Sequence, residues 1–351
     1  AIVAETAEAW RIADSIISTL QLPFSILDMN LELGCSIGAS LFPVHGQDSH
    51  ELLRCADVAM YEAKRQREHF QLYDNAIDER NPKRLEMLSA LRAGLESDQL
   101  FLVYQPRIDI ASGQVVASEA LLRWEHPSFG WVAPDEFIPL AEVTDVIHIL
   151  TPWVIRMALT QVSAWRHQGL DMRVSVNISG RNLIDVDFPR QVEALLAEFG
   201  LAAQCLEFEI TETALVSDPD RALRVLRAFS ALGVGIAIDD FGTGYSSLDY
   251  LKRLPLTFLK IDRSFISDML EQSRDAAIVK STIGLAHSLG LRVVAEGAED
   301  GATCDRLREL GCEEVQGYYY SRPLPPDEFR QWMRTQDQKA RRGTDNVRRL
   351  S

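Results

Sequence analysis

From residue 98 onward the chain alternates between two hydrophobic rhythms. Short apolar runs of strand length occur at Leu100–Tyr104, Val115–Leu122, Met172–Ile178, Leu206–Thr211, Val234–Asp239, Phe258–Ile261, Val293–Glu296 and Glu313–Gln316. Most intervals between them carry apolar residues at helical spacing, as in Thr151–Gln168 (with Pro152 near its start), Phe188–Phe199, Arg221–Leu232 and Ala276–Leu289. Strands that alternate with helices predict a parallel sheet. Eight such strands in roughly 240 residues match the size of a (β/α)8 TIM-like barrel. One irregularity breaks the rhythm: Asp109-Ile110-Ala111-Ser112-Gly113 is too short for a crossover helix. The first two strands should therefore form a hairpin, which makes one barrel strand antiparallel.

The stretch before the barrel follows a different plan. Residues 1–74 read as helix (Glu5–Leu20), strand (Leu31–Phe42) and helix (Ser49–Arg67), ending at Phe70–Tyr73. So few α/β elements bury an apolar face poorly alone, so this piece reads as part of a domain. Residues 75–97 read as a helical linker, opened by Asn81-Pro82 as cap and first residue and carrying Leu85, Leu88, Leu91 and Leu95 on one face. The barrel is then expected over 98–334. A basic tail over 335–351, with Lys339, Arg341, Arg342, Arg348 and Arg349, is expected to be solvated and disordered.

Polar residues mark the strand ends. Glu119 lies on the second strand, Asn177 and Glu209 near the ends of the third and fourth, and Asp239-Asp240 at the end of the fifth; Lys260, Glu296 and Gln316 lie at the ends of the last three. Active sites of such barrels sit where the parallel strands finish, so these side chains should converge on one mouth. Strand parity agrees: in Leu206-Glu207-Phe208-Glu209-Ile210 both glutamates share a face, and Asp239 shares one with Ala237 and Gly235. Inward carboxylates are costly unless paired or bound to a metal. Arginine partners could account for one or two of them, such as Glu207 or Glu212, but not for five convergent acids and an amide around one lysine.

Composition narrows the chemistry. Oxygen donors, with the seven histidines scattered, indicate hard cations, Mg²⁺ or Mn²⁺, rather than zinc. The adjacent Asp239-Asp240 pair could bridge two such ions, an arrangement suited to phosphodiester cleavage. A net charge of −15 excludes a broad DNA- or RNA-binding surface, although bound cations still permit a nucleotide ligand. No apolar run has membrane-spanning length, and five cysteines without a C-x-x-C pair fit a reducing, cytoplasmic setting. The loop Asp240-Phe241-Gly242-Thr243-Gly244-Tyr245-Ser246-Ser247 directly follows the acidic pair and is expected to shape the site.

At these residues the sequence closely resembles the EAL-domain cyclic di-GMP phosphodiesterases. The resemblance is carried by Glu119-Ala120-Leu121-Leu122-Arg123-Trp124, Val103-Tyr104-Gln105-Pro106, Val176-Asn177-Ile178-Ser179, Glu209-Ile210-Thr211-Glu212, Asp239-Asp240-Phe241-Gly242-Thr243-Gly244, Lys260-Ile261-Asp262-Arg263, Ala295-Glu296-Gly297-Ala298-Glu299 and Gln316-Gly317-Tyr318. It implies one metal held by Glu119, Asn177, Glu209 and Asp239, and a second served by Asp239, Asp240 and Glu296. It gives Lys260 contact with the attacking water and makes Glu296 a candidate general base. Glu212 would brace the glycine loop, and Glu299 and Gln316 would support the site. Gln105, Arg123 and Leu121-Leu122 match positions that contact the dinucleotide. The implied reaction yields linear pGpG, and the family makes a homodimer through the barrel plausible. A catalytically silent cyclic di-GMP receptor and a different metal-dependent barrel enzyme are the alternatives; receptors of the family typically lose motif acids that are intact here.

Residues 1–74 resemble the back half of a GGDEF (diguanylate cyclase) domain through Ser36-Ile37-Gly38, Pro43 and Ala56-Asp57-Val58-Ala59-Met60-Tyr61-Glu62-Ala63-Lys64. The signature loop is missing, and Lys64-Arg65-Gln66-Arg67-Glu68-His69-Phe70 lacks the family's usual glycine. The resemblance therefore implies no cyclase activity for this chain.

Overall fold

The computed structural model describes residues 2–3, 6–20, 24–26, 29–31, 35–66, 68–74, 86–142, 144–215, 218–242 and 248–336. It divides into two compact units, Ala1–Ala90 and Leu91–Ser351. The first holds a parallel three-stranded sheet in the order β1 (Ile2–Val3), β4 (Ile37–Leu41) and β5 (Phe70–Leu72), with the small antiparallel pair β2 (Phe24–Ile26) and β3 (Met29–Leu31). Helices Thr6–Leu20 and Ser49–Gln66 accompany them. Its buried clusters are small: Ala9, Ala13, Ala39, Leu41 and Phe70 form one, and Cys55, Ala59 and Tyr73 another. Of the linker, residues 75–85, which include the Asn81-Pro82 cap and Leu85, lie outside the described residues; a helix spans 86–94. Residues 337–351, most of the basic tail, lie outside them as well.

The second unit is the barrel. Eight strands close it: β6 (Leu100–Asp109), β7 (Val115–His126), β9 (Arg173–Asn177), β10 (Leu206–Thr211), β11 (Gly235–Phe241), β12 (Phe258–Ile261), β13 (Arg292–Ala295) and β14 (Glu314–Val315). The short β8 (Gly130–Val132) extends β7 on the outside. β6 runs antiparallel to both β7 and β14, and the other neighbours pair in parallel. The hairpin forms because the Asp109 carboxylate accepts from the Ser112 amide and hydroxyl at 2.8 and 2.6 Å, and Gly113 supplies the left-handed turn residue at φ 70°.

β6 and β7 are longer than their apolar runs predict. The polar residues Gln105 and Arg107 extend β6 on its inward face, opposite Glu119 and Ala117 of β7. Polarity ends an apolar run in the sequence, yet inside a barrel such a residue remains in the strand once it has a partner. The helices 147–167, 188–199, 219–232 and 273–288 pack their apolar stripes on the outside of the strands, with Val154, Ile155, Leu196, Leu226 and Ile283 buried. All five cysteines are free thiols. Among the described residues, no helix is long and apolar enough to cross a membrane.

The return from β14 is tightly packed. A Cβ on Gly317 would lie 2.0 Å from the Ala298 carbonyl oxygen and 2.5 Å from the Ala298 nitrogen, both backbone atoms. Gly317→Ala is therefore expected to lower stability by about 1–3 kcal/mol through overpacking. Thermal unfolding checks this; an unchanged Tm would mean that the segment shifts freely.

Candidate active site

The barrel interior is tiered. At the end where the parallel strands begin, Arg107, Arg173 and Arg292 meet Glu207 and Glu314. The Arg107 guanidinium forks onto Glu207 at 2.6 and 2.8 Å, and its Nε lies 2.6 Å from Glu314. This confirms an arginine partner for Glu207. Ala237, Phe258 and Val294 form an apolar layer above. The other end of the barrel holds the residues that the strand-end pattern singled out.

Lys260 lies at the centre of that end, only 1% exposed. Its Nζ is 2.5 Å from Glu296, 2.6 Å from Glu209, 3.2 Å from Asp239 and 3.9 Å from Glu119. Burial alone would lower the ammonium's pKa, but Asp239, Glu119, Glu209 and Glu296 outweigh it and raise it well above the usual lysine range. Lys260 is thus a permanent cation.

Glu119 is held at both oxygens. Asn177 donates to one at 2.8 Å and Gln316 to the other at 2.6 Å. Burial works to raise its pKa, yet Lys260 and the two amides prevail and lower it. Gln316 also donates to Gln105 at 3.0 Å, and Gln105 donates to the Ser321 carbonyl at 3.1 Å. Both glutamines are buried, so in this arrangement they brace Glu119. Burial and the neighbouring acids Glu119 and Asp239 push the Glu209 carboxyl well above its ordinary value, against the pull of Lys260. Burial likewise pushes Glu296 up to about 8.

Asp239 and Asp240 pose a geometric problem, because successive strand residues point to opposite faces. The structure resolves it with a register shift between Ile238 and Phe241 and a left-handed backbone at Asp240, φ 53°. Asp is among the few non-glycine residues that tolerate this conformation. The irregularity gathers carboxylate oxygens of Asp239, Asp240 and Glu296 within 4.8 Å of one another, a grouping able to hold a metal ion. Burial, with Asp239 and Asp262 nearby, raises the Asp240 pKa. Glu212 accepts from the Gly242 amide at 3.1 Å, at the start of the glycine loop. Residues 243–247 of that loop lie outside the described residues.

Leu121 and Arg123 follow Glu119 on the same face of β7, half-buried; Leu122 points the other way, and its carbonyl accepts from Arg123 Nη1 at 2.8 Å. Burial lowers the Arg123 pKa. Glu299 is exposed beyond β13. Sequence reasoning missed Arg107, although its alternation with Val103 and Gln105 on the inward face of β6 was a usable signal.

The family profile of the EAL domain matches residues 88–323, and that of the diguanylate cyclase, GGDEF domain matches residues 2–69. The bifunctional diguanylate cyclase/cyclic di-GMP phosphodiesterase MucR of Pseudomonas aeruginosa is 40% identical over 327 residues, covering 93% of this chain and 48% of MucR. The cyclic di-GMP phosphodiesterase PdeR of Escherichia coli is 38% identical over 321 residues, covering 91% and 48%. The chain thus spans about half the length of these curated relatives. Among solved structures, the PaMucR phosphodiesterase in complex with c-di-GMP superposes with a TM-score of 0.66 at 43% identity, over 70% of this chain and 99% of that one. The c-di-GMP-bound EAL domain of FimX from P. aeruginosa gives 0.63 at 26% identity, over 68% and 96%.

Proposed function

The chain belongs to the EAL-domain family, and on that premise we propose that it hydrolyses one phosphodiester bond of cyclic di-GMP to linear pGpG, using two divalent cations, Mg²⁺ or Mn²⁺. The observation that carries this reading is the charge imbalance at the barrel mouth. Glu119, Glu209, Asp239 and Glu296 surround one buried ammonium, with Asp240 beside them. Five converging carboxylates around one ammonium, with Arg107 reaching only Glu209 of the five, at 3.8 Å, among the described residues, are unfavourable unless protons or metal ions offset them. The donor set fits hard cations: all oxygen, with the buried Glu209 Oε1 accepting no hydrogen bond among the described residues.

Glu119, Asn177, Glu209 and Asp239 would hold one ion, and Asp239, Asp240 and Glu296 the second. The cations, when bound, would polarise the phosphate, lower the pKa of the attacking water and offset the charge that develops. Lys260 keeps its proton, so it acts as a donor that orients the nucleophile. Glu296, the most solvent-accessible of the Lys260 partners, would serve as the general base. Asn177, Gln316 and Gln105 keep Glu119 in place. Leu121 and Arg123 would contact the dinucleotide on the Glu119 face of β7, with Leu122 contributing the carbonyl that holds the Arg123 guanidinium, and Glu299 would support the site from its exposed position. A homodimer through the barrel is expected, and sedimentation equilibrium checks it.

The direct test is incubation with cyclic di-GMP and Mg²⁺ or Mn²⁺, followed by chromatography. Conversion to pGpG is expected. Binding without turnover under either metal would instead make the chain a receptor.

The Glu296 carboxyl also gives the metal-free protein a pH dependence. Its folded pKa, about 8, lies above the ordinary 4.5, so its stabilising contribution is full below 4.5 and is lost as pH rises through about 8. A cation must displace that proton. Apparent Mn²⁺ affinity should therefore climb between pH 6 and 8, with proton release detectable by calorimetry in buffers of different ionisation enthalpy. A pH-independent affinity over this range would show that Glu296 does not release a proton to the bound cation.

A further inference from the structure

We propose that Arg107 is a positioning residue for the cation site: from beneath, it holds Glu209 in the orientation in which its carboxylate receives a metal. This rests on reading the barrel mouth as a cation site. Lys260 fixes only one Glu209 oxygen, Oε2, at 2.6 Å. The other, Oε1, is buried and accepts no hydrogen bond among the described residues. Its cationic partner is Arg107, whose Nη1 lies 3.8 Å away. A glutamate held at one oxygen can swing about its broad terminal torsion. A fixed cation on the other side narrows that swing.

Arg107 is fixed. It is fully buried, forked onto Glu207, joined through Nε to Glu314, and stacked on the Phe258 ring with its guanidinium carbon 4.7 Å from the centroid. The planar fork pre-organises this geometry, as a lysine could not. The neighbouring ion pairs do not need Arg107 alone. Arg173 reaches Glu314 at 2.8 Å and Glu207 at 3.4 Å, and Arg292 reaches Glu314 at 3.0 Å. Three guanidiniums thus meet two carboxylates, and the remaining acid within ion-pair range of Arg107 is Glu209. Arg107 is the link between the lower tier of charges and the mouth.

The test compares the full chain with the charge-conserving pair Arg107→Met/Glu207→Gln, with Glu207→Gln alone and with Arg107→Lys. Mn²⁺ binding is measured by calorimetry without substrate, and kcat and KM for cyclic di-GMP are measured in parallel. Loss of a group that orients a metal ligand typically weakens affinity about 10–100-fold. The double variant should bind Mn²⁺ about tenfold more weakly, lose kcat at limiting Mn²⁺ and keep its KM for the dinucleotide within about twofold, while Glu207→Gln stays near wild type. A folded double variant with wild-type Mn²⁺ affinity overturns the proposal. Should that variant fail to fold, Arg107→Lys decides: several-fold weaker Mn²⁺ binding supports the role, and wild-type binding overturns it. If the wild-type chain binds Mn²⁺ without turning over cyclic di-GMP, the functional reading fails, but the Mn²⁺ comparison still decides the role of Arg107.

Discussion

Glu119→Ala is expected to abolish hydrolysis of cyclic di-GMP while the barrel stays folded. Glu119 lies at the meeting point of the site: Asn177 and Gln316 each donate to one of its oxygens, and Lys260 is 3.9 Å away. Removing it deletes a proposed metal ligand and frees both amides at once. Loss of one preorganised electrostatic element typically lowers kcat by about 10²–10³-fold, and the loss of a ligand shared with two braces should reach at least that range. Stability should fall by about 1–3 kcal/mol without unfolding the barrel, because Asn177 and Gln316 lose their shared acceptor and Lys260 loses one counterion while the apolar layers are untouched. Single-turnover kinetics with saturating Mn²⁺ and thermal unfolding without metal check both halves. A folded variant that retains substantial activity would remove Glu119 from the metal set.

Lys260→Met should have a comparable effect on turnover and a much larger one on the metal-free fold. Lys260 contacts four acids and is essentially inaccessible to solvent. Breaking a buried ion pair from one side commonly costs about 3–5 kcal/mol, because the partners remain buried without compensation. Here those partners can take up protons, so the loss should be smallest at low pH and grow as pH rises. Divalent cations should restore part of the lost Tm, since they supply the missing positive charge. Turnover should fall by at least about 10²-fold even when metal restores the fold, if the ammonium orients the nucleophile. A metal-restored variant with near-wild-type kcat would reduce Lys260 to a structural counterion.

Local chemistry made much of this legible in the sequence. Alternating strand and helix patterns indicated the barrel, and the short Asp109–Gly113 link indicated its antiparallel strand, because a five-residue connection cannot cross over. Strand parity placed Glu209 with Glu207, and Asp239 beside small residues, on the inward face. The ordered motifs then pointed to the family and, through it, to the dinucleotide, which residue chemistry alone leaves open.

Tertiary structure decided what depends on partners far apart in the chain. Gln105 and Gln316 were expected near ligand and site; their buried hydrogen bonds brace Glu119, a relation that exists only once β6 closes against β14. Arg107 remained hidden because its acids lie about a hundred and two hundred residues away in the sequence. Above all, the adjacency of Asp239 and Asp240 suggested a shared metal, while plain strand geometry would send them to opposite faces. The left-handed turn at Asp240 and the slip in register against β12 bring both to the mouth. The sequence by itself determined which chemical groups line the barrel; closure of the sheet, with its one local irregularity, determined which of them meet.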